Sequence, residues 1–218
     1  MAKKEILTTT QKKVIDLVAA DPGLQKMYLS GGTALAAFYL EHRLSDDLDF
    51  FSFEPIEPLL ARTFMQKVKR ELGAKDLRYE RLYDRNLFFL QFGDGQELKM
   101  EFTHYPFKQI GKSDKHLGVR VDSLRDIAAN KLMALLDRFD PKDFVDLFFL
   151  LKNSTLAQIQ RDAEKKFGIT ISDMFVGREL TKVRRIKALH KMLKPLSVTE
   201  LKKFFVGLAR QVGSQLLE

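Results

Sequence analysis

The stretch Tyr28-Leu29-Ser30-Gly31-Gly32-Thr33-Ala34-Leu35, followed by Ser45-Asp46-Asp47-Leu48-Asp49-Phe50-Phe51, predicts how the chain folds. A short apolar segment leads into a glycine turn at a helix start, and an apolar strand then carries carboxylates. Side chains of a strand alternate between its faces, so Asp47 and Asp49 project together while Leu48 and Phe50 enter the core. Two neighbouring carboxylates repel each other unless a cation lies between them. The stretch therefore predicts a metal site beside a glycine turn.

Composition restricts the class of protein. The chain has 218 residues, of which 45% are hydrophobic and 18 are Phe, enough for a substantial core. It has no cysteine, which excludes disulfides, thiolate zinc sites and cysteine nucleophiles. No apolar run approaches the roughly 18 residues of a membrane span. We expect a cytoplasmic protein without a membrane segment.

The net charge is unevenly distributed along the chain. Residues 1–151 contain 23 basic and 23 acidic residues, whereas residues 152–218 contain 14 and 6 and carry the whole net charge of +8. A basic region of this kind favours a polyanionic partner, because phosphates release counterions when they bind cationic side chains. The alternative is that these residues only solvate helix faces.

The first half of the chain has the pattern of a mixed α/β domain. Asp94-Gly95 lies between two strand-like segments and is typical of a hairpin turn. Helices are predicted at 9–20, 33–40 and 59–72, and strands at 27–29, 47–53, 77–83, 87–92 and 97–105.

The second half has the pattern of helices only. Asp140-Pro141 provides a cap and a first-turn proline for one of them. Helices are predicted at 123–136, 142–151, 156–167, 179–193 and 197–216. The fold class is therefore α+β, with an α/β domain at 1–115 and a helical domain at 116–218.

Glu101 is a candidate third carboxylate. It lies in the strand-like segment Leu98-Lys99-Met100-Glu101-Phe102, with Met100 and Phe102 directed to the core. If this strand lies beside the first, Asp47, Asp49 and Glu101 would hold Mg²⁺, a hard ion that binds carboxylates and phosphates together. The glycine turn fits the same chemistry, because glycines let the backbone approach a phosphate closely.

Two blocks of the sequence resemble a known family. Gly31-Gly32-Thr33-Ala34-Leu35 and His42-Arg43-Leu44-Ser45-x-Asp47-Leu48-Asp49-Phe50 resemble the signature of the AbiEii/AbiGii nucleotidyltransferase-like toxins, within the DNA polymerase beta-like superfamily. Lys131-Leu132-x-Ala134-Leu135-x-x-Arg138-x-x-x-Lys142-Asp143-x-x-Asp146-Leu147 resembles the second block of that family. The resemblance implies a polymerase beta-like mixed sheet followed by a helical domain, Mg²⁺ dependence, and transfer of a nucleoside monophosphate from an NTP.

The resemblance also implies roles for single residues. Asp47 and Asp49 would bind metal, and Lys131 and Asp143 would be the active-site contribution of the helical domain. A charge at Lys131 in an apolar stripe needs a partner, which is either the triphosphate or Asp143 or Asp146. Gly31, Gly32 and Thr33 would touch the triphosphate. By position alone, Arg43 and Ser45 flank the carboxylate strand and are candidates for contact with phosphate, the alternative for Arg43 being a solvated loop residue.

The basic part of the second half is a candidate binding surface. If the substrate is RNA, this predicted helix would contact its backbone, and an acidic partner protein would use the same surface. The residues concerned are Arg178, Lys182, Arg185, Lys187 and Lys191.

Three functional hypotheses remain open from the sequence. The first is an Mg²⁺-dependent nucleotidyltransferase that modifies an RNA, tRNA in particular, as the toxin of a toxin–antitoxin pair. The second keeps the chemistry but transfers to a protein or small-molecule hydroxyl. The third is a non-catalytic module that binds a nucleotide or a partner.

Overall fold

The computed structural model describes residues 6–214, which form two units. The sheet unit comprises the described residues through Tyr39, together with Ser45–Lys108 and Lys112–Ser123. The helical unit comprises the described residues from Leu124 onward and two short segments, Leu40–Leu44 and Gln109–Gly111. The boundary predicted between residues 115 and 116 lies before the last strand of the sheet unit.

The sheet unit contains a seven-stranded mixed sheet with the order β3-β4-β5-β2-β1-β7-β6. Strand β2 pairs in parallel with β5, and β1 pairs in parallel with β7, whereas all other neighbours are antiparallel. The predicted strands correspond to β1 to β5, while β6 and β7 were not predicted. The strands are β1 Tyr28–Ser30, β2 Leu48–Ser52, β3 Asp76–Leu82, β4 Arg85–Gln91, β5 Glu97–His104, β6 Asp114–His116 and β7 Val119–Val121.

The core of the sheet unit lies against one face of β2 and β5. Phe50 and Phe102 stack at 5.7 Å and are fully buried, and Phe64 of helix α3 meets Phe102 edge-on. The predicted alternation is confirmed for residues 48–50, since Leu48 and Phe50 are buried and Asp49 faces the other way, half-buried. The helices are α1 Thr9–Ala20, α2 Gly31–Ala34, which continues as a π-helical turn Leu35–Leu40, and α3 Pro58–Leu72.

The described part of the helical unit has five α-helices, and aromatic rings join two of them. Phe144 of α5 meets Phe205 of α8 edge-on at 5.3 Å. Asp140 caps α5 by accepting from Lys142 N, as predicted. The helices are α4 Leu124–Asp137, α5 Pro141–Leu150, α6 Leu156–Phe167, α7 Asp173–Thr181 and α8 Val198–Ser214. The last two residues of the helix predicted at 197–216 lie outside the described residues.

The helix predicted at 179–193 is wrong. Helix α7 ends at Thr181, Lys182–Arg185 forms one 3₁₀ turn, and an irregular segment follows up to α8. Four basic residues between 182 and 187 would crowd consecutive helical turns with like charge. The segment instead pairs with residues 42–44: Leu44 N donates to Lys191 O, and Leu193 N donates to His42 O. These backbone groups are therefore satisfied without a helix.

In the part of the chain that the structure describes, no helix combines the length and apolar character that crossing a membrane requires.

Candidate active site

Gly31 and Asp49 are in direct contact at the start of α2. Gly31 has a φ of +72°, and a Cβ placed on it would lie 2.3 Å from Asp49 Oδ2. Only glycine fits here, because any side chain would need both a strained backbone and the space of the carboxylate. The adjacent Thr33 is buried, and its hydroxyl donates to the carbonyl of Asp47. Turn and strand are thus joined at the predicted carboxylates.

Of the other residues predicted to contact the nucleotide, Gly32 lies in the same turn and Ser45 lies shortly before β2. The carbonyls of Gly31 and Gly32 accept from Leu35 N, so both glycines belong to the first helical turn. Ser45 is half-buried, and its carbonyl accepts from Gln11 Nε2 at 2.9 Å. The main chain that leads into β2 is therefore anchored to α1.

Two of the three predicted carboxylates lie on neighbouring strands of the sheet unit, and the third directly precedes one of these strands. Asp49 is in register with Glu101, since β2 and β5 are parallel. Asp47 precedes β2 by one residue and keeps 40% of its side chain exposed, whereas Glu101 is buried. Residues in register on neighbouring strands project to the same face. Asp49 and Glu101 therefore share one face of the sheet.

Glu101 is already bonded in this structure. Arg85 of β4 donates to both carboxylate oxygens at 2.6 Å, and the Thr103 hydroxyl donates at 2.5 Å. Burial alone would raise the pKa of Glu101, but the hydrogen bonds from Arg85 and Thr103 outweigh it and lower that pKa below its ordinary value. Glu101 is thus an ionised carboxylate held by a bidentate arginine.

Ser30 extends the same row across the sheet. It is in register with Asp49, and its hydroxyl donates to Asp122 Oδ2 at 2.9 Å. Asp122 is fully buried at the end of β7, and its carbonyl accepts from Tyr39 OH. This pair fixes the residue that precedes Gly31. Sequence reasoning missed Asp122, because β7 was not predicted.

A second charged cluster lies within the helical unit and centres on Asp146 of α5. His42 Nε2 lies 2.7 Å and Arg43 Nε 2.6 Å from Oδ1, while Arg43 Nη2 and Lys131 Nζ contact Oδ2 at 2.8 and 2.6 Å. Burial would raise the pKa of Asp146, but Lys131 and Arg43 reverse that effect and hold the pKa far below its ordinary value. Arg43 is only 2% exposed, so its guanidinium serves Asp146 in this structure.

Lys131 connects Asp146 to Asp143. Its Nζ donates to Asp143 Oδ1 at 2.9 Å, and Arg138 Nε approaches Oδ2 of the same residue at 3.1 Å. Both ion pairs that the sequence left open for Lys131 are therefore present together. Burial opposes the charge on Lys131, but Asp146 and Asp143 raise its pKa above the ordinary value. The catalytic roles of Lys131 and Asp143 stay predictions.

Comparison with known proteins decides the family. The model of the nucleotidyl transferase AbiEii toxin family, from type IV toxin–antitoxin systems, matches residues 16–208. The chain belongs to this family. It is a nucleotidyltransferase, and membership implies a nucleotide substrate and an antitoxin partner. Nucleotidyltransferases of this kind typically use a divalent metal ion.

Individual relatives agree with the AbiEii assignment. An uncharacterized protein of Aquifex aeolicus (strain VF5) is 29% identical over 163 residues, which are 74% of this chain and 76% of that protein. A putative nucleotidyltransferase from Helicobacter pylori is 21% identical, with a TM-score of 0.63 over 96% of this chain and 95% of its own. MenT4, a nucleotidyltransferase toxin from Mycobacterium tuberculosis, is 13% identical, with a TM-score of 0.50 over 93% and 84%. The two structures support the fold.

The carboxylate oxygens beside the glycine turn suit a hard divalent ion. Asp47 and Asp49 offer carboxylate oxygens beside the glycine turn, and such oxygens are the ligands that Mg²⁺ prefers. Glu101 has both oxygens engaged by Arg85. Among residues 6–214, no three His, Cys, Asp or Glu side chains are arranged to hold a metal ion. The roles of Asp47, Asp49 and Glu101 as metal ligands therefore stay predictions.

The basic residues of the AbiEii chain follow the end of α7 and the segment after it. Arg178 and Lys182 both contact Glu179, whose side chain is buried. Arg185 is exposed and lies 4.2 Å from the ring of Phe139. Lys187 and Lys191 are exposed as well. Most of these basic residues are therefore accessible and lie outside an α-helix, and their role as a binding surface stays a prediction.

Asp126 and Lys166 form a buried ion pair that sequence reasoning missed. Both side chains are fully buried, 2.8 Å apart, and Asp126 also accepts from the backbone of Ile110 and Gly111. Lys166 follows Ile159 and Ala163 at helical spacing on α6. A lysine at an apolar position was the available signal, because a buried charge requires a partner.

Proposed function

We propose that this AbiEii protein transfers a nucleoside monophosphate from an NTP to an RNA acceptor, tRNA in particular, in an Mg²⁺-dependent reaction. The observation that carries the proposal is the contact of Asp49 with Gly31, since it joins a metal-binding carboxylate to a turn suited to phosphate. The backbone carbonyl of Asp47 is connected to the same turn, because it accepts a hydrogen bond from the Thr33 hydroxyl.

Asp47 and Asp49 would hold the ion, and bound Mg²⁺ would neutralise phosphate charge. The turn at Gly31 and Gly32 would receive the triphosphate at its backbone. The acceptor hydroxyl then attacks the α-phosphorus, a new P–O bond forms, the bond to pyrophosphate breaks, and the hydroxyl proton is released. Glu101 is left out of the ligand set, because Arg85 and Thr103 bind its oxygens.

Charge supports RNA as the acceptor. Seven basic residues and one acidic residue lie between Arg178 and Lys194, and several of them are exposed. Cationic side chains in this density bind a phosphate backbone by counterion release.

The test of the chemistry is incubation with each α-³²P-labelled NTP, Mg²⁺ and total RNA. We expect label in tRNA with the wild type and a loss of at least about 100-fold with Asp49→Asn, since the variant removes the charge but keeps the shape. Asp16→Asn is the matched control, because Asp16 is exposed on α1 of the same unit. Label in protein instead of RNA would refute the RNA acceptor, and full activity of Asp49→Asn would refute the site.

The test of the RNA surface is a triple variant, Arg185→Gln, Lys187→Gln and Lys191→Gln. We expect weaker tRNA binding and a salt dependence whose logarithmic slope is smaller by about 2 to 3, one phosphate contact for each residue. A control triple variant removes the same charge from α6 and α8, at Arg161, Lys165 and Lys203. Equal effects of the two triple variants would show that only net charge matters and would refute the surface.

A further inference from the structure

Lys99 of β5 carries an ammonium group that is close to two carboxylates but bonded to neither. Its Nζ lies 3.8 Å from Asp47 Oδ2 and 3.8 Å from Glu101 Oε2, beyond hydrogen-bond distance in both directions. No residue in the described range 6–214 accepts a hydrogen bond from Lys99. The Lys99 side chain is 27% exposed. Its three N–H donors are therefore available to a ligand.

The two carboxylates nearest Lys99 have other partners, either in the structure or in the proposed site. The two oxygens of Glu101 already receive two bonds from Arg85 and one from Thr103. Asp47 has a half-exposed carboxylate that belongs to the proposed metal site. A cation at Asp47 would compete with Lys99 for the same oxygen, since both are attracted to one negative charge.

The charges around Lys99 indicate a function for its ammonium group. Asp47, Asp49 and Glu101 carry three negative charges, and the cations that contact two of these carboxylates are Lys99 and Arg85. Arg85 is held in a bidentate bond to Glu101. A triphosphate that approaches these carboxylates meets repulsion, and Lys99 can offset it with donors that no carboxylate holds.

We propose that Lys99 binds the phosphates of the nucleoside triphosphate, a role that rests on the proposed function. When an ion occupies Asp47 and Asp49, Lys99 loses its attraction to Asp47 and donates to a phosphate oxygen instead. The Arg85–Glu101 pair is a positioning element: it keeps Glu101 from capturing the ammonium in a hydrogen bond.

The experiment compares Lys99→Met with wild type, Lys99→Arg and Lys67→Met. Lys67 lies half-exposed on α3, the helix that packs on the opposite face of the sheet through Phe64. Binding of the α,β-methylene analogues of ATP, CTP, GTP and UTP is measured by calorimetry in Mg²⁺, since these analogues cannot release pyrophosphate. Binding of Mn²⁺ to nucleotide-free protein is measured by electron paramagnetic resonance.

We expect opposite changes in the two affinities. Lys99→Met should bind the preferred analogue about 10- to 100-fold more weakly, as expected for one charge-assisted hydrogen bond. The same variant should bind Mn²⁺ more tightly, because a competing cation has gone. Lys99→Arg should retain most of the nucleotide affinity, and Lys67→Met should match wild type.

Unchanged nucleotide affinity in Lys99→Met would overturn the role of Lys99 and leave the proposed function intact. Weakening of both nucleotide and Mn²⁺ binding would also overturn it, since that result indicates a structural defect of the face. Wild-type protein that binds no analogue would overturn the proposed function, and the role of Lys99 with it.

Discussion

Replacing Gly31 with alanine tests the contact on which the proposed site depends. The new Cβ would lie 2.3 Å from Asp49 Oδ2, 3.1 Å from its Cγ and 3.2 Å from its Cβ. Reaching an ordinary contact of 3.4 Å requires the carboxylate oxygen to move by about 1 Å. The strand holds Asp49 Cβ in place, so the carboxylate must rotate away from the turn.

Stability and activity should respond differently to Gly31→Ala. The left-handed backbone at φ +72° costs alanine about 1 to 2 kcal/mol of stability. A carboxylate displaced by about 1 Å costs on the order of 100-fold in transfer rate. Gly95→Ala is the matched control, since Gly95 has φ +82° in the same unit and its Cβ would meet nothing within 4 Å.

The measurements are thermal unfolding by circular dichroism and NTP transfer at saturating Mg²⁺. Both alanine variants should lose stability, Gly31→Ala at least as much as Gly95→Ala because its Cβ also displaces a carboxylate, and only Gly31→Ala should lose transfer. Transfer by Gly31→Ala within a few-fold of Gly95→Ala would refute the argument that Asp49 must occupy the space above Gly31.

Two further predictions concern the helical unit. Asp146→Asn leaves the buried charge of Arg43 without its carboxylate and Lys131 with Asp143 alone, and should cost about 3 to 5 kcal/mol in chemical denaturation, whereas Asp162→Asn, which breaks the exposed pair with Arg125, should cost less than about 1; similar losses would contradict the buried network. Burial lowers the pKa of His42, so the unfolded state binds its proton first. Stability should therefore fall with a limiting slope of about 1.4 kcal/mol per pH unit as pH drops below the unfolded pKa of about 6.5. His42→Gln should flatten this pH dependence, and an identical profile in the variant would assign it elsewhere.

The strands of the proposed site were predictable because their pattern is local. A strand with one buried face fixes its side chains by alternation, and Leu48, Asp49 and Phe50 follow it. The Asp94-Gly95 turn fixes the hairpin of β4 and β5 in the same way. The Asp140 cap and the first-turn proline Pro141 made the start of α5 predictable as well.

The partners of those residues were not predictable from the sequence. Arg85 reaches Glu101 because β4 and β5 pair in one particular register, and Lys99 meets Asp47 because β2 and β5 are parallel. Strand pairing is a long-range property that no single segment encodes. The helix predicted over 179–193 failed for the same reason, since residues 42–44 compete for its backbone.

The pairing of Arg43 with Met192 has a consequence for synthesis of the chain. The two residues form a β-bridge within the helical unit although 149 positions separate them. At a translation rate of about 5 to 20 residues per second, Arg43 is made roughly 7 to 30 seconds before its partner. The helical unit therefore completes its fold only after Met192 has been synthesised, and a nascent chain stalled before Met192 lacks that bridge.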